Sequence, residues 1–422
     1  MRVLGVLALT VLLVGLVGCS EEQPVVTTAP FHGSPVLALV DQGKAGSHLE
    51  RIDPSTLEQR SEAPVRLSSG AWSPVFSPDG EKVAVGGRGN EGVRIVDVTQ
   101  MKLVGRVGRS SASRSLVPLA WPRAHRLLAL EFAWMQGPTV PHVQDVIVLD
   151  PITRRVLARQ PLGGWAIHTT RVGRGVVLLI EAAQGIGPAR LAVAGENGDL
   201  RTVLLGQIVA GSREEDTQEG TPRYQMEMPG LAVDPSGRAF VVPAGPLVAE
   251  VNIATLAVSY HELSRSIPLL SRLHNWLDPV AQAKAPPEGP IREAGWLGQG
   301  LIASTGWNGL KPAGLSLIDV EQKTVRRLDE EAARFSFEKG ILLAYGDYSA
   351  SDGIRAYDLD GERRWNALEG EPIGAVQTLR GRAYVEVARG GTSSVAVIDL
   401  RSGSEVRRVA AKWPEFLVPG EA

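Results

Sequence analysis

One phrase recurs along the chain: an apolar alternating run, an Asp, a small polar turn and a second alternating run. It stands as "SVAVIDLRSGSEVRRV" at 394–409, as "LERIDPSTLEQR" ending at Arg60 and as "VRIVDVTQMKLVGRV" ending at Val107. It returns as "DVIVLDPITRRVLARQ" ending at Gln160, "LSLIDVEQKTVRRL" ending at Leu328 and "IRAYDLDGERRW" ending at Trp365. Such repetition constrains architecture before chemistry, because a short sheet that cannot bury its own faces must stack on copies of itself.

The full unit is clearest in "LSSGAWSPVFSPDGEKVAVGGRGNEGVRIVDVTQMKLVGRV". It holds four short runs with apolar residues at period two, each bounded by Gly, Pro, Asp or Asn, and a tight turn at Ser77-Pro78-Asp79-Gly80. Four short antiparallel strands recurring about every forty residues predict a β-propeller blade. The third-to-fourth-strand turns fall near 53, 97, 150, 197, 252, 319, 358 and 399, which gives an all-β propeller of eight four-stranded blades by literal count, or seven if one unit is misread. The fourth unit, "ARLAVAGENGDLRTVLL", is degenerate, and the first lacks a leading strand that the C-terminal "WPEFLVPGEA" can supply, closing the ring and removing exposed sheet edges. The recurring Asp at 53, 97, 150, 319, 358 and 399, with Asn252 in the same slot, is read as turn chemistry, since these side chains accept hydrogen bonds from the backbone just downstream.

With 44 basic against 46 acidic residues and no run of five like charges, the chain offers no stripe that would release counterions from a nucleic acid. Its 47 Gly and 28 Pro fit many turns and few helices. Cys19 is the single cysteine. It ends an N-terminus with one positive residue, Arg2, then an apolar run from Val3 to Val17 and then small residues, the parts of a secretory signal. Leu16-Val17-Gly18-Cys19 resembles the bacterial lipobox. That resemblance implies a signal peptide over 1–18, lipid attachment at Cys19 and a firm multi-chain membrane anchor. Residues 19–35 then read as a tether, and 36–422 as one propeller domain in the cell envelope, outside the cytoplasm. The membrane is the cytoplasmic one, or the outer one if present; Ser20 is not the Asp associated with inner-membrane retention.

"SPDG", the related "DPSGRAFVV" beginning at Asp234 and the strands "VIDL" and "IVDV" resemble the bacterial YVTN and WD-repeat-like propellers over residues 36–420. The resemblance implies the fold and transfers no functional residue, because no Trp-Asp dipeptide is present. "YDLDGERRW" is similar to a single repeat of quinoprotein-type propellers and implies no cofactor; none is expected.

Connections joining strands one to two and three to four lie on one face of a propeller, and all others lie on the opposite face. The first class is short: "SPDG", "PRAH", "PSGR", "GQG", "EKG", "RGR". The second class includes "EFAWMQGPTVPHVQ", "GSREEDTQEGTPRYQ", "TGWNGLKPAG", "GDYSASDG" and the segment 264–290, where "SIPLLSRLHNWLDP" predicts a helix capped by Ser266 with Ile267, Leu270, Leu273 and Leu277 on one stripe. Long connections on a rigid scaffold are where recognition is built. Trp134, Tyr224, Trp276, Trp307 and Tyr348 fall in them, and Trp165 opens a strand beside them. These aromatics, with Asp347, are the candidate partner-binding residues, suited to a protein, peptide or glycan. Their alternative use is to plug the channel or pin the loops. Glu91, Asp347 and Asp352 are the loop carboxylates to inspect for a metal or acid-base site. No catalytic motif is present: no H-E-x-x-H, no G-x-S-x-G and no P-loop. The expectation is therefore a lipid-anchored binding module, with two alternatives: a propeller enzyme whose site sits in the channel, a metal-dependent lactonase-like hydrolase or quinoprotein-like oxidoreductase, and a scaffold subunit of an envelope complex.

Overall fold

Side chains along "VVLLI" at 176–180 alternate between two neighbours, and both neighbours are apolar. Val176, Leu178 and Ile180 pack against Leu128, Val146 and Val148 of the sheet before, whereas Val177 and Leu179 pack against Val241, Ala249 and Val251 of the sheet after. A strand buried on both faces reads as a continuous apolar run, and radial stacking is what buries both. The same logic repeats around the ring as eight separate apolar clusters among the described residues, one at each seam between consecutive sheets.

The computed structural model describes residues 36–41, 46–59, 63–67, 72–87, 92–108, 114–133, 144–183, 185–215, 223–265, 290–346, 353–389 and 392–417. They form an eight-bladed β-propeller, and no helix occurs among them. Blades 2 to 8 span 72–107, 114–161, 166–227, 230–262, 290–329, 334–367 and 373–409. In each the first strand lies innermost and touches the first strand of a neighbouring blade, as Gly230–Val233 of blade 5 does with Pro290–Gly298 of blade 6. Blade 1 takes its inner strand, Pro414–Leu417, from the C-terminus, pairs it with Val36–Asp41, and ends in a fourth strand of only two residues, Val65–Arg66. The ring is thus closed by the C-terminal strand, as the sequence predicts. Where that fourth strand is cut short, a cavity of about 540 Å³ opens, lined in part by His48, Glu50 and Arg66.

Two segments read from the sequence as loops are strands. Blade 4's outer strand, Leu200–Glu215, outruns its partner and turns back as a fifth strand, Arg223–Glu227, so Tyr224 sits in a hairpin, opposite Glu214. In blade 6 the second strand, Leu301–Asn308, carries Trp307 and folds onto Lys311–Pro312. Gly306 permits the sharp bend there: its φ is 133°, and a Cβ would strike the Ile291 carbonyl. The helix expected at 267–277 lies outside the described residues; the flanking Ser264–Arg265 pairs in parallel with the outer strand of blade 6.

Phe416 of the closing strand is buried and its ring centroid lies 4.5 Å from that of Tyr384 in blade 8. Phe416→Ala should therefore lower the unfolding free energy in urea by about 3–5 kcal/mol, while Leu204→Ala, at a side chain 58% exposed, should change it by less than about 0.5 kcal/mol.

Candidate functional site at the long-connection face

The two hairpins rise on the same face, the one from which the long connections leave. Between them runs the inner strand of blade 6, and its Arg292 ties the parts together. The backbone of Arg292 donates to the Met228 carbonyl at 2.7 Å, and Met228 donates to the Pro290 carbonyl at 3.0 Å, so the connection from blade 4 to blade 5 is stitched to the inner strand of blade 6. Its guanidinium donates to the carbonyls of Ile291 at 3.0 Å and Trp307 at 2.8 Å and to Asn308 Oδ1 at 2.7 Å. Burial lowers the Arg292 pKa to about 10, with nearby Arg327 adding to the effect and Glu227 opposing it. Arg292 is thus a strut holding up the corner that carries Trp307, which is half-buried, and Leu310, which at 83% exposure is the most exposed large apolar side chain among the described residues.

The channel side of this face is lined by ionisable groups. His168 on the inner strand of blade 4 donates through Nε2 to the Arg292 carbonyl, 3.1 Å away, and burial lowers its pKa. Glu227, Glu293 and Glu415 have carboxyls pushed up by burial, opposed by Arg292 at Glu227 and by Arg334 at Glu293. Thr305, paired across the sheet with Glu293, is fully buried and its hydroxyl finds no hydrogen-bond partner. On blade 3, Glu131 and Asp145 stand side by side on adjacent strands, and both accept from Arg159 Nη1, at 2.7 Å for Asp145; Arg114 donates to Glu131 at 3.0 Å. These carboxylates are spent on guanidinium groups. Among the described residues no three His, Cys, Asp or Glu side chains gather closely enough to hold a metal ion.

Of the residues singled out in the sequence, Trp165 immediately precedes the inner strand of blade 4 and packs edge-on against Phe132 of blade 3, centroids 5.5 Å apart. Trp307 sits two blades away on blade 6, so the structure places these two on one face without joining them. The backbone of Tyr224 is in the hairpin strand of blade 4. Trp134, Trp276, Asp347, Tyr348, Glu91, Asp352 and Cys19 lie outside the described residues. Sequence reasoning missed Arg292, His168, Glu227 and Glu293. The available signal for Arg292, Glu293 and His168 was charge inside the first strand of a blade, in "PIREAGWLG" and "AIHTTRV", while Glu227 ends the hairpin strand of blade 4.

No family model and no curated protein matches this sequence. Among solved structures, the chain is similar to dihydro-heme d1 dehydrogenase NirN in complex with DHE, at 14% identity and a TM-score of 0.57 over 90% of this chain and 74% of that one. It is also similar to apo AztD from Citrobacter koseri, at 12% identity and a TM-score of 0.52 over 90% of this chain and 96% of that one. Both are β-propellers, and at these identities the likeness bears on fold alone.

Glu181 stands beside Trp165, whose carbonyl accepts from the Glu181 backbone at 3.0 Å. Burial alone pushes its carboxyl up from 4.5 to about 7. A carboxyl raised in the folded state keeps its proton where the unfolded chain has lost it, so stability falls as pH rises from the unfolded value through the folded one. Wild type should therefore lose on the order of 1–2 kcal/mol relative to Glu181→Gln between pH 4.5 and pH 8, the full shift being reduced by solvent near the group. Paired urea titrations at the two pH values measure this difference; equal slopes against pH would show that Glu181 titrates normally.

Proposed function

We propose that the chain is a lipid-anchored, extracytoplasmic propeller that binds a protein, peptide or glycan through its long-connection face. The observation that carries this reading is the asymmetry of the two faces. Every described turn on one face is tight, while the opposite face bears the two raised hairpins, the exposed Leu310 beside Trp307, and the charged mouth of the channel. The described chain also begins, at Val36, and ends, at Leu417, on the tight-turn face, since Val36 pairs with Ile52 beside the Asp53 turn. A tether running from Cys19 to Val36 would join there, leaving the raised face directed away from the membrane.

Two experiments test the proposal. Cys19→Ala should move the protein from the membrane fraction to the soluble fraction and remove the acyl mass from its N-terminal peptide; a membrane-bound, unacylated wild type would refute the anchor. A photo-crosslinking residue at Leu310 should trap a partner in living cells, whereas one at Ser236, on a tight turn of the opposite face, should trap none. Equal trapping at both positions, or none at Leu310, would remove the long-connection face as the binding surface.

A further inference from the structure

The eight seams provide a comparison within the chain. In the outer strand of each complete blade one residue pairs with the position two before the start of the third-to-fourth-strand turn, and in five of the seven it meets the corresponding turn of the next blade; in blade 5 it is the exposed Ser259, paired with Glu250. Trp365, paired with Ala356, packs its ring on Gly403 and donates through Nε1 to the Leu400 carbonyl at 3.0 Å. Arg326, paired with Leu317, packs on Gly361. Arg201, paired with Val193, donates to the carbonyls of Ile253 at 3.0 Å and Ala254 at 2.8 Å. Arg407, paired with Val397, reaches Glu58 at 3.8 Å, and Ala158, paired with Val148, lies against Gly198.

At the seam between blades 2 and 3 this position, paired with Ile95, is Gly105. Arg154 from the blade 3 turn reaches back instead, its guanidinium lying about 3.5 Å from where a Gly105 Cβ would stand and donating to the Val104 carbonyl at 3.3 Å. The exchange leaves a cavity of about 240 Å³, walled by Pro78, Ile95, Trp121, Pro151 and Ile152. Ile152 is 60% and Val104 39% exposed at its lip. The cavity runs outward into an open groove along Leu103–Arg106 that is shared by Arg154. Three cations border the two: Lys82, Arg106 and Arg154. The one carboxylate in the lining, Asp79, is already engaged by Ser77 Oγ at 2.5 Å and the Glu81 backbone at 3.0 Å.

We infer that the blade 2–blade 3 seam is a docking groove for an acidic, extended peptide segment of a partner protein, one that inserts a bulky apolar side chain between Trp121 and Ile152 and pairs flanking carboxylates with Arg154 and Arg106. The apolar pocket supplies burial, the guanidinium groups supply charge complementarity and bidentate geometry, and each is needed for the other to be selective. This surface is separate from the long-connection face, so it stands whether or not that reading does.

The deciding variant is Gly105→Trp, which installs the side chain that already fills the equivalent position of blade 7. Gly105 does not have a positive φ and an added Cβ meets only the Arg154 side chain at contact distance, so the variant should fold with an unchanged or higher melting temperature. A random dodecapeptide library displayed on phage and panned against the full chain should enrich sequences with a large apolar residue flanked by Asp or Glu. The synthetic form of the best such peptide should bind Gly105→Trp and Arg154→Glu at least tenfold more weakly than wild type, and bind wild type more weakly as salt rises. Failure to enrich acidic-apolar peptides, or binding to Gly105→Trp within twofold of wild type, overturns the inference. A separate variant, Ile152→Ser, keeps the test valid should Gly105→Trp fold poorly: it should weaken the same peptide without altering the melting temperature.

Discussion

The ring depends on a side chain that closes a turn over its own backbone. At the third-to-fourth-strand turn of every blade but the fourth, an Asp carboxylate or Asn amide oxygen accepts amide protons from residues two to four positions on: Asp53 from Ser55 at 2.9 Å, Asp97 from Gln100 at 2.8 Å, Asp150 from Ile152 at 2.9 Å, Asn252 from Thr255 at 2.9 Å, Asp319 from Gln322 at 2.8 Å, Asp358 from Glu362 at 2.7 Å and Asp399 from Ser402 at 2.9 Å. Blade 4 opens its turn with Gly195 and closes it through the backbone, Gly198 donating to the Gly195 carbonyl at 2.9 Å. With the amides satisfied internally, carbonyls of these turns and of the residues beside them are left facing the blade before. Those carbonyls are what the preceding blade holds: Arg51 binds Val98 O at 2.6 Å, and the Tyr384 hydroxyl, fully buried, binds Pro54 O at 2.7 Å to fasten blade 8 to blade 1. A single such bond contributes only about 0.5–1.5 kcal/mol, but each recurs at a seam that already carries an apolar core, and the closing strand couples the last seam to the first.

This requirement divides the molecule functionally. One face must present short, capped turns of fixed shape, because a lengthened turn would withdraw the carbonyls that the neighbouring blade grips. The other face carries no such duty except at the inner edges, where Gly230 lies so close to blade 6 that a Cβ would come within 2.8 Å of the Ala294 backbone. Sequence variation in length therefore accumulates on the second face, and so do exposed apolar and aromatic side chains. Arg292 shows how an irregular hairpin is held there without a repeat to support it: the guanidinium substitutes for the backbone partners that a regular strand would have provided.

What the sequence revealed follows from the same division. The blade count, the capped turns and the closing strand were legible because each repeats or completes a pattern of period two. The hairpins of blades 4 and 6 were not, because "GSREEDTQEGTPRYQ" and "TGWNGLKPAG" carry Gly, Pro and charge at a density that reads as loop, while their strand pairing is set by an overlong neighbour rather than by local alternation. The channel groups were illegible for a different reason. His168, Glu293 and Arg334 come from blades 4, 6 and 7, and only closure of the ring brings their strands around one axis. Trp165, read as opening a strand, immediately precedes one, and its contact with Phe132 crosses a seam that no single unit encodes.

A repeat protein also makes its own departures interpretable. At a position where five other blades place Trp, Arg or Ala against the next turn and blade 5 has Ser259, the hydrogen at Gly105 cannot be explained by turn geometry, since the backbone there is ordinary and only the Arg154 side chain lies within contact distance beyond it. The seam nevertheless keeps its apolar core, with Val75, Ile95, Trp121 and Leu149 buried beneath the gap. What the glycine removes is only the cover over that core, and it removes it beside Ile152, which stands exposed at a turn position held in the other blades by Ser55, Thr99, Asn197, Ala254, Glu321, Asp360 and Arg401, none of them a large apolar residue. Loss of cover at one seam, with the fastening transferred to Arg154 from the opposite side, leaves the ring intact and turns a structural joint into accessible apolar surface bordered by positive charge.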